Sequence, residues 1–152
     1  MTGARTLVIG VGNRYRSDDA LGPIVIDQLA GDQRSDVAFS EVSGEGGKII
    51  ELLRSHQSVI IVDAVNSGTE PGTIYHLNLN EEELPSGFLH YSSHAFGVAE
   101  AVAMTKSLGE VPESLHFYGI EGGDFSSGIE LSAEVAAAVP ELITRVRSFL
   151  SR

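Results

Sequence analysis

LVIGVGNRYRSDDALGP, Leu7 to Pro23, runs from a short apolar stretch through Gly10, Gly12 and Asn13 to two adjacent carboxylates, Asp18 and Asp19. A strand that enters a glycine turn and then a helix is the opening unit of an α/β domain, so this stretch decides the fold. Glycines in such a turn often shape a phosphate cradle, but paired negative charge repels a phosphate. The dinucleotide fingerprint is also incomplete, because Tyr15 stands where its third glycine belongs. The turn is therefore expected to present carboxylates, with no nucleotide beside them. A nucleotide binder of flavodoxin-like type is the weakest of three functional readings.

Working outward, further apolar runs rich in Val and Ile alternate with helical patterns. Strands are expected over Thr6 to Gly10, Ala38 to Val42, Ser58 to Asp63, Ile74 to Leu79 and Leu115 to Ile120. Leu21, Ile24, Val25 and Leu29 recur at helical spacing, and Ile49, Ile50, Leu52 and Leu53 make a shorter amphipathic helix. A third helix is expected from about His94 to Leu108, with Phe96, Ala99, Val102 and Ala103 inward and Gly109 as its stop. The last begins after Ser132 as N-cap, with Glu134 favouring the positive end of its dipole and a kink or restart at Pro140. Asn80 to His90 reads as acidic and irregular. With no repeat or linker, residues 1–152 form one α/β domain: a mostly parallel, twisted sheet of about five strands with helices on both faces.

Composition narrows the function classes. The 152 residues are 42% hydrophobic, enough for an ordinary core, and carry a formal net charge of -11. Such a charge argues against nucleic acid or an anionic membrane as the partner. No cysteine is present, so disulfides, thiolate metal sites and thiol nucleophiles are excluded. No apolar run approaches the roughly 20 residues that span a bilayer, and no secretory leader is evident, so a cytoplasmic protein without membrane insertion is expected.

In an open parallel sheet, ligands sit outside the carboxyl ends of the strands. Asp63 closes one strand there and Asp19 follows another, while His94 at a helix start could reach the same rim. Two carboxylates and a neutral imidazole suit a divalent first-row ion and leave positions open for water or substrate. Blander roles compete: Asp18 or Asp19 as helix cap, Asp63 as the polar end of a buried strand, His94 as an ordinary helix residue. His90 is the reserve imidazole, and His56, His76 and His116 read as structural or solvated. No nucleophile elbow, H-E-x-x-H motif or phosphate loop appears.

Four segments together resemble the [NiFe]-hydrogenase maturation endopeptidases: GVGNRYRSDDALG, IIVDAVNSGTEPGT, SSHAFGVAEAVAM and YGIEGGDFSSGIELSAEV. The resemblance spans nearly the whole chain. It implies that Asp19, Asp63 and His94 are the metal-binding and catalytic positions, Asp19 standing where many members have Glu. It further implies removal of a C-terminal extension from a hydrogenase large-subunit precursor after nickel insertion, the nickel arriving with the substrate and no organic cofactor being needed. The chain departs from the family after the second strand, where Ser43-Gly44-Glu45-Gly46-Gly47 replaces an Asp-Gly-Gly-Thr type segment. Gly44, Glu45 and Gly46 are then expected to line the substrate tail, with Glu45 or Asp18 as a candidate base. The competing reading is a metal-sensing binding module, or chaperone, that recognises the loaded precursor without cutting it.

Overall fold

A computed structural model describes residues 5–89 and 96–152. Five strands, β1 (Thr6–Val11), β2 (Val37–Val42), β3 (Ser58–Val65), β4 (Ile74–Asn78) and β5 (Ser114–Glu121), form one sheet in the order β2-β1-β3-β5-β4. All neighbours pair parallel except β4, which runs antiparallel at the edge beside β5. The expected α/β architecture is thus present. β3 runs two residues past Asp63, which pairs with Gly119 of β5 before the strand ends.

Alternation along the strands assigns the two faces. Leu7, Ile9 and Val11 of β1 join Ile49 and Leu53 of helix α2 (Gly46–Arg54) and Val98, Ala101 and Val102 of α3 (Val98–Ser107). Val8 turns the other way, with Val25 and Leu29 of α1 (Leu21–Ala30) and Val139, Leu142 and Val146 of α4 (Ala133–Leu150). Burying a side chain of this size contributes about 1.5–3 kcal/mol, so both helical layers are held mainly by this packing.

Two expectations about helices need correcting. α3 starts at Val98 with Gly97 as its N-cap, so Phe96 precedes the helix and is exposed, as is Ala103; Val98, Ala101, Val102 and Thr105 form the buried face. Pro140 lies inside α4, which runs as one element from Ala133 to Leu150, so the helix does not restart at the proline. Buried Val139, Leu142 and Ile143 flank the proline, so burial of this face outweighs the local cost of one missing N–H. Among the described residues no helix is long and apolar enough to cross a membrane.

The glycines of the opening stretch now have a packing role. A Cβ on Gly10 would lie 2.6 Å from the Gly22 carbonyl oxygen, so the pair lets α1 lie directly on β1. The chain leaves β1 for β2 on one side and later enters β3 on the other, making the β1/β3 boundary the topological switch point of the sheet.

Candidate functional site

A cleft of about 370 Å³ opens at that boundary, beyond the carboxyl ends of β1 and β3. Its floor holds Val11, Gly12, Asp19 and Asp63; Ser43 and Gly44 form one wall, 84–89 a second, and the start of α3 a third. Asp19 is set by a 3-10 turn, Ser17–Ala20, that leads straight into α1. The Asn13 N–H donates to Asp19 Oδ2 at 3.1 Å and to its carbonyl at 3.1 Å, folding the glycine turn back on the carboxylate. Gly12 has φ of 149° and no room for a Cβ against the Asp19 carbonyl, so this turn requires glycine.

Asp63 is 5% exposed and, among the described residues, accepts a hydrogen bond from the Ala64 N–H at 2.8 Å. Burial, and next the charge of Asp19, push its carboxyl well above the ordinary range. Burial likewise raises Asp19, to about 6, against the opposing pull of the Asn13 hydrogen bond and the Arg16 charge. Two carboxylates from different elements therefore share one cleft, and the charge of Asp19 adds to the burial of Asp63 in disfavouring its ionised form. His94, the third expected ligand, and the reserve His90 lie outside the described residues. Among the described residues no group of three His, Asp or Glu gathers as a metal cage.

The neighbouring Asp18 has a different task. It is fully buried and accepts four hydrogen bonds: Gly123 N–H at 2.8 Å, Asp124 N–H at 2.9 Å, Ser132 N–H at 2.7 Å and Ser132 O–H at 2.9 Å. Its oxygens are occupied, which leaves it poorly suited to act as a base. Glu121, also buried, plays the same part on the next loop, accepting from the Ser67 N–H and hydroxyl, the Gly68 N–H and the Tyr75 hydroxyl.

Of the glycine-rich segment, Gly44 lines the cleft, whereas Glu45 is the exposed N-cap residue of α2 and is not part of the lining. Gly46 is also outside the lining; its N–H donates to the Phe96 carbonyl at 2.8 Å and the Phe96 ring fills the place of a Cβ. Gly46 thus anchors the chain just before α3. His76 and His116 pair at 2.9 Å on β4 and β5, with His76 stacked on Tyr118, away from the cleft.

Two contributors were missed by reasoning from sequence. The wall 84–89 comes from the stretch read as acidic and irregular; Asn66 N–H donates to the Phe88 carbonyl at 2.8 Å and Val65 bridges Leu89, fixing the wall to the end of β3. The turn Pro85-Ser86-Gly87 before the apolar Phe88-Leu89 was its signal. Glu100 also lines the cleft, and its Oε1 accepts the Gly97 N–H at 3.0 Å.

Residues 33–148 match the family model described as hydrogenase maturation protease. The Hydrogenase 2 maturation protease of Escherichia coli (strain K12) is 30% identical over 152 residues, covering 96% of this chain and 90% of the relative. The hydrogenase expression/formation protein HupD of Rhizobium leguminosarum bv. viciae is 28% identical over 147 residues, covering 94% of this chain and 73% of its own. Among solved structures, the hydrogenase maturating endopeptidase HybD from E. coli is similar at a TM-score of 0.80 and 26% identity, over 97% of this chain and 92% of that one.

Proposed function

The chain belongs to the hydrogenase maturation protease family, and on that premise we propose that it removes a C-terminal extension from a [NiFe]-hydrogenase large-subunit precursor once nickel has been inserted. The observation that carries the reading is the convergence of Asp19 and Asp63 in one cleft at the switch point, both with raised carboxyl pKa values. A divalent cation would offset their repulsion, and carboxylate oxygens fit a hard or borderline ion. His94 completes the ligand set by the resemblance of its segment to the family. The nickel belongs to the substrate, so metal loading becomes part of what is recognised.

A metal ion held at such a site polarises a carbonyl and lowers the pKa of a bound water. The protein's own groups do the positioning. Asp19 and Asp63 fix the metal end of the precursor, and Ser43, Gly44 and the wall 84–89 confine the tail. With Asp18 saturated and Glu45 outside the lining, Glu100 is the remaining carboxylate of the described cleft and the candidate to accept a proton from the attacking water.

The test is to incubate the purified chain with nickel-loaded and nickel-free precursor and follow the mass of the large subunit. Cleavage of the loaded form alone is expected. Equal cleavage of both forms removes nickel gating, and a stable complex of unchanged mass supports the non-cleaving binding module instead.

A further inference from the structure

The cleft, at about 370 Å³, has the size of a small-molecule pocket. A specific protein–protein interface buries about 800 Å² on each partner. A macromolecular substrate must therefore be held by the rim as well as by the cleft.

One part of the rim is built for this. The loop after β1 and the loop between β5 and α4 run side by side: Gly128 N–H donates to the Tyr15 carbonyl at 2.9 Å, Ser17 N–H to the Gly128 carbonyl at 2.9 Å, and Arg16 and Gly128 form a parallel bridge. The Ser17 hydroxyl adds a bond to the Ser126 carbonyl at 2.8 Å, and the Asp18 bonds close the junction. Ser17 is held at φ 52°, a left-handed conformation that a non-glycine residue rarely adopts.

On this braced junction Tyr15 is 71% exposed and Ile129 73% exposed, more than the other exposed large hydrophobic side chains among the described residues. A single exposed apolar side chain is ordinary. Here two are carried on adjoining backbone, on loops far apart in sequence, beside the turn that holds Asp19. Arg16, next to Tyr15, is exposed and makes no ion pair among the described residues, although the chain's net charge is -11. Arg14, two residues earlier, is by contrast paired with Asp27 and Glu41.

We propose that Tyr15, Arg16 and Ile129 form a docking patch for the folded body of the large-subunit precursor, receiving an apolar surface flanked by a carboxylate. The inference rests on the function proposed above. Tyr and Arg are, with Trp, the side chains most enriched at the energetic centres of interfaces. The Arg16 guanidinium, which acts on Asp19 at longer range but makes no ion pair among the described residues, selects an acidic neighbour that the chain's overall negative charge would otherwise repel. The hydrogen-bonded loops are ordered in advance, so docking loses little conformational entropy. Because the patch leads to Asp19 within three residues, a body docked there delivers its tail to the cleft.

The experiment measures binding of the full chain to purified nickel-loaded precursor by interferometry, with precursor mass followed in parallel. Tyr15→Ser and Ile129→Ser should each raise Kd about ten-fold or more, with the loss in cleavage falling on KM. Arg16→Gln should flatten the salt dependence of association. Leu108→Ser, at an apolar position 56% exposed after α3, should leave Kd unchanged. Folded Tyr15 and Ile129 variants that both keep Kd within about two-fold overturn the patch. A wild-type chain that binds without cutting overturns the cleavage reading while Kd still reports on the patch; one that neither binds nor cuts overturns both.

Discussion

The Ser132 hydroxyl donates to Asp18 Oδ2 at 2.9 Å, so the residue that begins α4 also fixes the loop carrying Asp19, 114 residues earlier for Asp18. Together with the Gly123, Asp124 and Ser132 N–H groups, it makes Asp18 the knot between the two loops on one side of the cleft. Asp18→Ala leaves four donors facing a buried, unpartnered space and should cost about 3 kcal/mol or more. Asp18→Asn should recover part of this, because its amide nitrogen opposes a donor. Urea unfolding of the three proteins checks the order wild type, Asn, Ala.

Acidity should affect the metal-free protein through Asp19. Its folded-state pKa of about 6 lies above the ordinary 3.8, so the folded state holds this proton more tightly than the unfolded chain. The associated stabilisation is fully present below the unfolded value and is lost as pH rises through about 6. The stability difference between wild type and Asp19→Asn should therefore move against wild type across that window. Paired denaturation curves from about pH 4 to about pH 7 would show it; a constant difference would count against the shift.

Asp63→Asn should separate stability from function. At neutral pH Asp63 carries either a buried charge beside Asp19 or a proton taken up at a cost, and the amide removes both conditions. The metal-free variant should be more stable than wild type, by about 1 kcal/mol, while losing cleavage of nickel-loaded precursor. Thermal melting and precursor mass, measured on the same preparation, test the two halves.

The layered fold was legible because short continuous apolar runs such as Leu7-Val8-Ile9 fit a sheet covered on both faces. The same logic put Asp19 and Asp63 at one rim, since strand direction alone decides which end a following residue reaches. The family resemblance separated Asp19, as the ligand, from Asp18, as a cap or supporting group, but which groups Asp18 supports was not legible, because its donors lie 105 to 114 residues away. Ser132 misled for a related reason: it does take the N-cap position, but its hydroxyl is drawn to Asp18 and makes no bond to its own helix. Phe96 fits a helical apolar pattern, yet the close contact with Gly46 holds it ahead of α3. The charges of Glu81, Glu82 and Glu83 hid the wall that follows them, where Phe88 is buried by contacts to Tyr75 and Phe117 that only the assembled sheet provides.

Glu100 offers the sharpest separation of a structural role from a chemical one. Its Oε1 accepts the Gly97 N–H at 3.0 Å, a bond that steadies the start of α3 and that a glutamine oxygen can also accept. Glu100→Gln should therefore leave the melting temperature and precursor affinity near wild type. If the carboxylate takes the proton from the attacking water, the same variant should lose about 10²–10⁴-fold in kcat. Glu100→Asp, keeping a carboxylate on a shorter arm, should retain part of the activity. A glutamine variant that cuts loaded precursor at the wild-type rate would restrict Glu100 to holding the helix, and the proton would have to be accepted elsewhere.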